Sequence, residues 1–317
     1  MARLAAEHLN RAGASPLPPC AVEQVRTALT ADEPCLELEL VLGPGEAVPT
    51  ELIALTELHE LRLVAPGVVE LPRWIGRLRG LSSLEVDAEL AEIPAALGQL
   101  DTLERLRLRS AGTFEPALAE LPALVELDLE LGVLGDIPLA LARRSKLDSV
   151  RIRATTLTRV PLGLLVAPNL RTLALEFRSA DARPAFPRLI PGLSQLEVLA
   201  ISGWPLDEIP PVLVELGALD SLTLRHCELQ TLALDWRRAT KLRHLDVSHN
   251  CLRRLPASIA ALTRLRELVA AHNPITELDP ALARLHALER LDLDHTELRS
   301  VPAPIEALPK LRVLSRG

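Results

Sequence analysis

Along most of the chain, apolar residues fall into a two-part pattern that keeps its phase. A burst with leucines two apart gives way to a polar turn, and a second burst then spaces its aliphatic residues three or four apart. The clearest unit runs from Leu242 to Arg264, LRHLDVSHNCLRRLPASIAALTR. LRELVAAHNPITELDPALARLHA from Leu265 and LERLDLDHTELRSVPAPIEALPK from Leu288 follow in the same phase, so the period is 23 residues. Upstream units begin at Leu219, Leu196, Leu170, Leu147, Leu124, Leu103, Leu81, Leu58 and, weakly, Cys35. The units at Leu81, Leu103 and Leu170 depart from the period, with 22, 21 and 26 residues.

The spacing of two predicts one short strand per unit with its leucines facing inward, followed by a turn whose Asn side chain can answer backbone groups. The LPxxIxxL half predicts a return segment, in which Pro stops further strand and the wider spacing suits one helical turn. No unit can bury its leucines alone, so the units must stack into a parallel, quasi-one-dimensional core. The predicted organisation is a solenoid over residues 35–317, with the weak unit at Cys35, eleven full repeats from Leu58 and, counted from Leu58, a partial twelfth strand at Leu311, preceded by a cap over residues 1–34. In that cap Ala21, Val22, Val25 and Leu29 share one face of a helix that starts after Pro18 and Pro19.

The LxxLxLxxN and LPxxI motifs resemble the leucine-rich repeat superfamily over roughly residues 35–314. The 23-residue subtype is similar to intracellular adaptors of the Scribble and Ras-pathway scaffold type, and to the recognition domains of some bacterial effectors. The resemblance implies an α/β solenoid of horseshoe form, with a parallel sheet on the concave face and short helical or 3-10 turns on the convex face. It specifies a fold and leaves function open. In the N-terminal half the Asn column reads Gly43, Pro66 and Gly132, so early turns are expected to be irregular.

Composition sharpens this picture. Seventy of 317 residues are Leu, against three Phe, three Trp and no Tyr, as expected of one local environment repeated many times. The net charge of −7 and interleaved Arg and Glu argue against a nucleic-acid partner. The absence of a long apolar run argues against a membrane span or a signal peptide and places the protein in the cytoplasm, with delivery into a host cell left open. Cys20, Cys35, Cys227 and Cys251 form no CxxC pair and read as reduced thiols, with a Cys20 to Cys35 bridge as the alternative. Three Lys against 32 Arg fits a GC-rich, bacterial genome.

No GxSxG, HExxH, GxxxxGK[ST] or GxGxxG motif is present, so the sequence implies neither catalysis nor a cofactor. Its polar regularities lie elsewhere. Alternating charges run along the fifth repeat position as Glu39, Arg62, Glu85, Arg107, Asp128 and Arg151, and along the seventh as Asp87, Arg109, Glu130, Arg153 and Glu176. On strands ~4.8 Å apart these would neutralise one another. Beyond them the outward positions become Thr172, Ala174, Val198, Ala200, Ser202, Ser221 and Thr223, a neutral floor that a partner can approach without stripping charges of water.

A histidine column follows, at His226, His249, His272 and His295. It could hold a transition metal or sense acid, or it could be ordinary turn chemistry. Cys227, in the Asn column beside it, reads as a small buried turn residue. Among the aromatics, Phe114, Phe186 and Trp236 take core positions and Trp74 a half-buried one. Phe177 and Trp204 fall at the rim beside the insertion around Arg178 to Arg183. They are either a surface hot spot or, for Trp204, a plug for the missing Asn.

The expected function is non-catalytic recognition of a protein partner. The candidate contact residues are Phe177, Trp204, Thr172, Ala174, Glu176, Ala200, Ser202, Thr223, Arg225, His244, Asp246 and His249. The alternative is the substrate-recognition domain of a bacterial effector or ubiquitin-ligase-type enzyme whose catalytic part lies outside this chain. Self-association through the uncovered strand at Leu311–Leu314 is a further expectation.

Overall fold

A computed structural model describes residues 20–144, 146–179, 184–187, 190, 192–206 and 208–315. The chain divides into two compact units, Met1–Glu130 with Arg144–Lys146, and Leu131–Arg143 with Leu147–Gly317. Both are built from the same coil, a strand followed by a turn and a short return segment.

In the first unit, helix α1 (Ala21–Leu29) precedes strands β1 (Glu37–Val41), β2 (Glu60–Val64), β3 (Ser83–Leu90) and β4 (Arg105–Ser110). The weak unit at Cys35 thus contributes a full strand. These strands pair in parallel with their leucines in register, Leu38 on Leu61, Leu61 on Leu84 and Leu84 on Leu106. The inward leucines from Leu61 onward are buried while the residues between them face solvent, as the alternation requires. Each coil returns through a 3-10 turn, at Thr50–Ala54, Arg73–Arg77, Ala95–Gln99 and Pro116–Glu120. The first three follow Pro49, Pro72 and Pro94, and the fourth begins on Pro116, because a fixed φ ends the extended segment and prepares the turn. Leu52, Ile75, Leu97 and Leu118 fill the core from this side.

Helix α1 packs on the first coil through buried Ala21 and Val25, with Val22 half-buried. Leu29, expected on the same face, is 39% exposed, because it lies in the last turn of the helix, past the part that the coil covers. The Glu46 carboxylate fixes the start of the helix by accepting from Ala21 N–H (3.3 Å) and Gly43 N–H (2.8 Å). Residues 1–19 of the expected cap lie outside the described residues. Cys20 and Cys35 are both free thiols, so the bridge weighed between them is not formed.

The second unit continues with β6 (Ser149–Leu157), β7 (Thr172–Ser179), β8 (Val198–Ser202), β9 (Ser221–Arg225), β10 (His244–Asp246), β12 (Glu267–Val269), β14 (Arg290–Asp292) and β15 (Val313–Ser315), numbered with β5 (Glu126–Leu134), β11 (Arg254–Leu255) and β13 (Glu277–Leu278) in chain order. Its parallel register carries one row of inward leucines from Leu173 through Leu199, Leu222, Leu245, Leu268 and Leu291 to Leu314. All are buried except Leu314, which is 37% exposed on β15 beside Val313 at 43%. Short helical turns on the return side include Leu162–Leu165, Pro211–Glu215, Ala257–Ala261, Pro280–Arg284 and Ala303–Glu306. β11 and β13 form a second, two-residue ladder.

Two buried asparagines hold the turns of this unit. Asn250 Oδ1 accepts from Cys227 N–H and Leu229 N–H (3.0 and 3.1 Å), while its Nδ2 donates to Leu224 O and Val247 O (2.7 and 2.9 Å). Asn273 repeats the arrangement one coil later with Leu252 N–H, Val247 O and Ala270 O. A buried amide with every donor and acceptor answered locks neighbouring turns together, whereas an apolar replacement would orphan several backbone groups.

Candidate functional site

The outward strand face of the first unit is an ion-pair lattice. Arg62 reaches both Glu39 (3.5 Å) and Glu85 (3.7 Å), and Arg107 reaches Glu85 (3.5 Å) and Asp128 (3.6 Å). Along the seventh position Arg109 lies 3.7 Å from Asp87 and 3.2 Å from Glu130. Arg62 faces Glu39 and Glu85, and Arg107 faces Glu85, because these strands pair in register with charges that alternate by one coil, whereas a register shift after Val86 sets Arg109 opposite Glu89 and it reaches Asp87 through its side chain. A ligand bound here would have to compete with these contacts, each of which is individually weak at such exposure.

In the second unit the lattice is interrupted. The central row of outward residues runs from Ala174 to Ala200 and Thr223, flanked by Thr172, Val198 and Ser221 on one side and Glu176 and Ser202 on the other. Ala174, Ala200, Thr172, Ser202 and Thr223 are all partly exposed, so the floor is accessible and uncharged. Charge returns at its border. Arg225 Nε donates to Asp246 (2.8 Å), His244 Nδ1 meets Glu267 (3.2 Å), and Arg290 joins Glu267 to Asp292 (3.2 and 3.0 Å). Asp246 also accepts from the Ser248 hydroxyl and N–H (2.7 and 3.0 Å). The structure therefore brings together the expected floor, Thr172, Ala174, Ala200, Ser202 and Thr223, and surrounds it with Glu176, Arg225, His244 and Asp246.

Phe177 and Trp204 do not form a surface pair. They are 4% and 0% exposed. Their rings meet edge to face at 6.1 Å, and Phe186, half-buried rather than fully in the core, packs on Trp204 at 5.2 Å. The indole N–H donates to Pro184 O (2.8 Å), so Trp204 fills the turn where other coils use Asn and ties the inserted segment to it. Of the two readings left open for Trp204, the plug is the one seen. The physical reason is size: an indole in the ninth position can only enter the coil, since its neighbour Gly203, at φ +74°, turns the chain inward against Phe177. Arg178 is exposed beside them, and residues 180–183 of the insertion lie outside the described residues.

The histidine column is the most regular feature of the rim. His226, His249, His272 and His295 all adopt left-handed backbone, with φ of 52°, 57°, 54° and 55°. All four are exposed, and their rings stack at centroid distances of 4.4, 4.1 and 4.3 Å with interplanar angles of 22°, 11° and 19°. Stacked planes aim their lone pairs alongside one another rather than at a common point, and among the described residues no group of three or more His, Cys, Asp or Glu is placed to hold a metal. Desolvation, the flanking His226 and His272 rings and Arg225 hold His249 below its usual pKa of 6.5, with Asp246 opposing.

Cys227, in the Asn column, is fully buried. Its thiol donates to Arg225 O (3.1 Å), and burial pushes its pKa up to about 12. Such a thiol stays protonated and is a poor nucleophile.

Comparison with known proteins places these coils. Residues 217–275 match the family model described as leucine rich repeat. Over 239 residues, 71% of the chain, the sequence is 29% identical to the volume-regulated anion channel subunit LRRC8E of Homo sapiens, and it spans 29% of that protein's length. Among solved structures, an internalin from Listeria monocytogenes aligns with a TM-score of 0.62 at 17% identity, over 92% of this chain and 93% of that one. The leucine-rich ectodomain of the plant receptor kinase GASSHO1 from Arabidopsis thaliana, in complex with CASPARIAN STRIP INTEGRITY FACTOR 2, aligns at 0.56 with 24% identity, over 88% of this chain and 37% of that one. The repeat register, the family match and these shared folds make the chain a leucine-rich-repeat solenoid.

Proposed function

We propose that the chain is a non-catalytic recognition module that binds a protein partner on the strand face of its second unit. The observation that carries this reading is the break in the ion-pair lattice over Ala174, Ala200 and Thr223, bordered by the paired charges of Arg225, His244 and Asp246. Burying a neutral floor of small side chains requires no ion to lose its water, while the polar border supplies orientation. The GASSHO1 ectodomain, whose fold this chain shares, is seen with a bound factor, which supports recognition as the use of the fold.

This reading places the chain in the cytoplasm. No helix among the described residues is long and apolar enough to cross a membrane. The four cysteines are free thiols, as suits the cytoplasm.

The reading is tested by isolating the partner from native lysate, identifying it by mass spectrometry, and measuring its affinity for surface variants. Ala200→Arg puts a long charged side chain on the floor and is expected to abolish binding with the melting transition retained. Arg62→Ala, on the first unit, is expected to leave affinity unchanged. Full affinity in a folded Ala200→Arg protein would overturn the assignment.

A further inference from the structure

The eighth repeat position of the second unit holds five residues in sequence, Gly203, His226, His249, His272 and His295, and all five have left-handed backbone. Ladder bonds place them in one line: Gly203 N–H donates to Arg225 O (3.0 Å), His226 N–H to His249 O (3.1 Å), His249 N–H to Ala271 O (3.0 Å) and His272 N–H to Asp294 O (2.8 Å). Four members carry imidazoles and the first carries nothing. His249 and His272 are covered by rings on both faces, whereas His226 stacks on His249 alone. Among the described residues no ring or cation lies against its other face.

The gap is enforced by packing. A Cβ on Gly203 would stand 1.9 Å from Phe177 O and 2.8 Å from Phe177 C, so no side chain can occupy this step of the column. At the same step of the preceding coil the Phe177 ring turns into the core against Trp204. Among the described residues the column therefore ends at a bare imidazole face above a glycine, next to Ser202 and the neutral floor at Ala200. From this geometry, and resting on the proposed partner-binding face, we propose that the Gly203 side of His226 seats an aromatic side chain of the protein partner.

The chemistry of the surroundings selects that occupant. The coils are ~4.8 Å apart and the existing rings already stack at 4.1 to 4.4 Å, so a planar group extends the column with the same spacing. Its charge must be near zero. Glu176 and Arg178, both exposed on β7, carry opposite signs, and the Arg225 guanidinium beside His226 is held by Asp246. With charges of both signs present, neither a partner guanidinium nor a partner carboxylate finds an unopposed counter-charge, whereas an aromatic ring gains the stack on His226.

The test is selection of phage-displayed random peptides on the full chain, followed by binding measurements on the enriched sequences. Binders are expected to share one aromatic residue. Changing that residue to Leu, or His226→Asn in the protein, is expected to weaken binding on the order of tenfold, with the two changes together no worse than either alone. Asn tolerates left-handed backbone, so the variant should keep its melting transition, and His295→Asn at the far end of the column serves as a control without effect. Selected peptides that carry arginine in place of the aromatic, or a selection that yields no binder sensitive to His226→Asn, would overturn the proposal. If the binders respond to Ala200→Arg but ignore His226→Asn, the strand face stands and the aromatic seat falls; if they ignore both, both readings fall.

Discussion

The side-chain amide of Gln24 closes the edge of β1 by answering both backbone groups of Val41. Gln24 Nε2 donates to Val41 O (2.8 Å), and Val41 N–H donates to Gln24 Oε1 (3.1 Å). One amide thus takes the place of a neighbouring strand, at the point where a parallel sheet would otherwise present open donors and acceptors to solvent. Gln24→Ala is expected to destabilise by about 1 kcal/mol, held low by the exposure of the site. It should also raise concentration-dependent self-association. Denaturant titration and light scattering on the same protein check both, and a monodisperse variant of unchanged stability would show that the packing of Ala21 and Val25 suffices to protect the edge.

Arg107 stands between Glu85 and Asp128 at 3.5 and 3.6 Å, so Arg107→Glu would put three carboxylates in one row. The Arg107 side chain is more than half exposed, which limits the expected loss to about 1 kcal/mol. Because the effect is electrostatic it should shrink in high salt. Melting in low and high salt separates this from lost packing of the arginine stem, which would persist in both.

Trp204 is fully buried, and truncating it should act on the fold rather than on a binding surface. Trp204→Ala is expected to lower stability by about 3 to 5 kcal/mol. Trp204→Phe, which keeps most of the volume but loses the bond to Pro184 O, should cost about 1 kcal/mol. Partner affinity of the folded Trp204→Phe protein should match the parent, since the indole does not reach the surface. Gly203→Ala should be at least as damaging as Trp204→Phe, because its methyl would overlap Phe177 O. Calorimetric unfolding ranks the three.

What was legible in the sequence follows the period. The inward leucines, the Pro-initiated return turns and the Asn250 and Asn273 turns could be read because each repeats a local requirement every coil. The charge lattice of Arg62, Arg107 and Arg109 was readable for the same reason. Legibility failed where a residue acts once. Gln24 serves a single edge and belongs to no repeat, and nothing in AVEQVRTAL distinguishes a strand mimic from an exposed helix residue. The position of Trp204 signalled a departure from the Asn column, yet whether the ring turns in or out depends on the left-handed Gly203 and on the Phe177 carbonyl packed against it. Leu29 failed on length, because helical phase fixes a direction without saying how far the covering coil extends.

The histidine stack should make the protein sensitive to acid, and the sign can be worked out from His249. Desolvation, the His226 and His272 rings and Arg225 hold its folded pKa below the usual 6.5, and the opposing Asp246 does not restore it. In the unfolded chain the imidazole regains an ordinary pKa. As pH falls through that value the unfolded state takes up the proton first, so stability declines until the folded pKa is also passed. Above 6.5 the contribution is fully present, because both states are neutral. Between about pH 7.5 and about pH 5, the melting temperature of the parent should fall more than that of His249→Asn. Asn keeps the left-handed turn and removes the titrating ring from the centre of the stack. Equal slopes in the two proteins would show that the stacked rings accept protons without strain, and a parent that gains stability on acidification would show that Asp246 outweighs its neighbours.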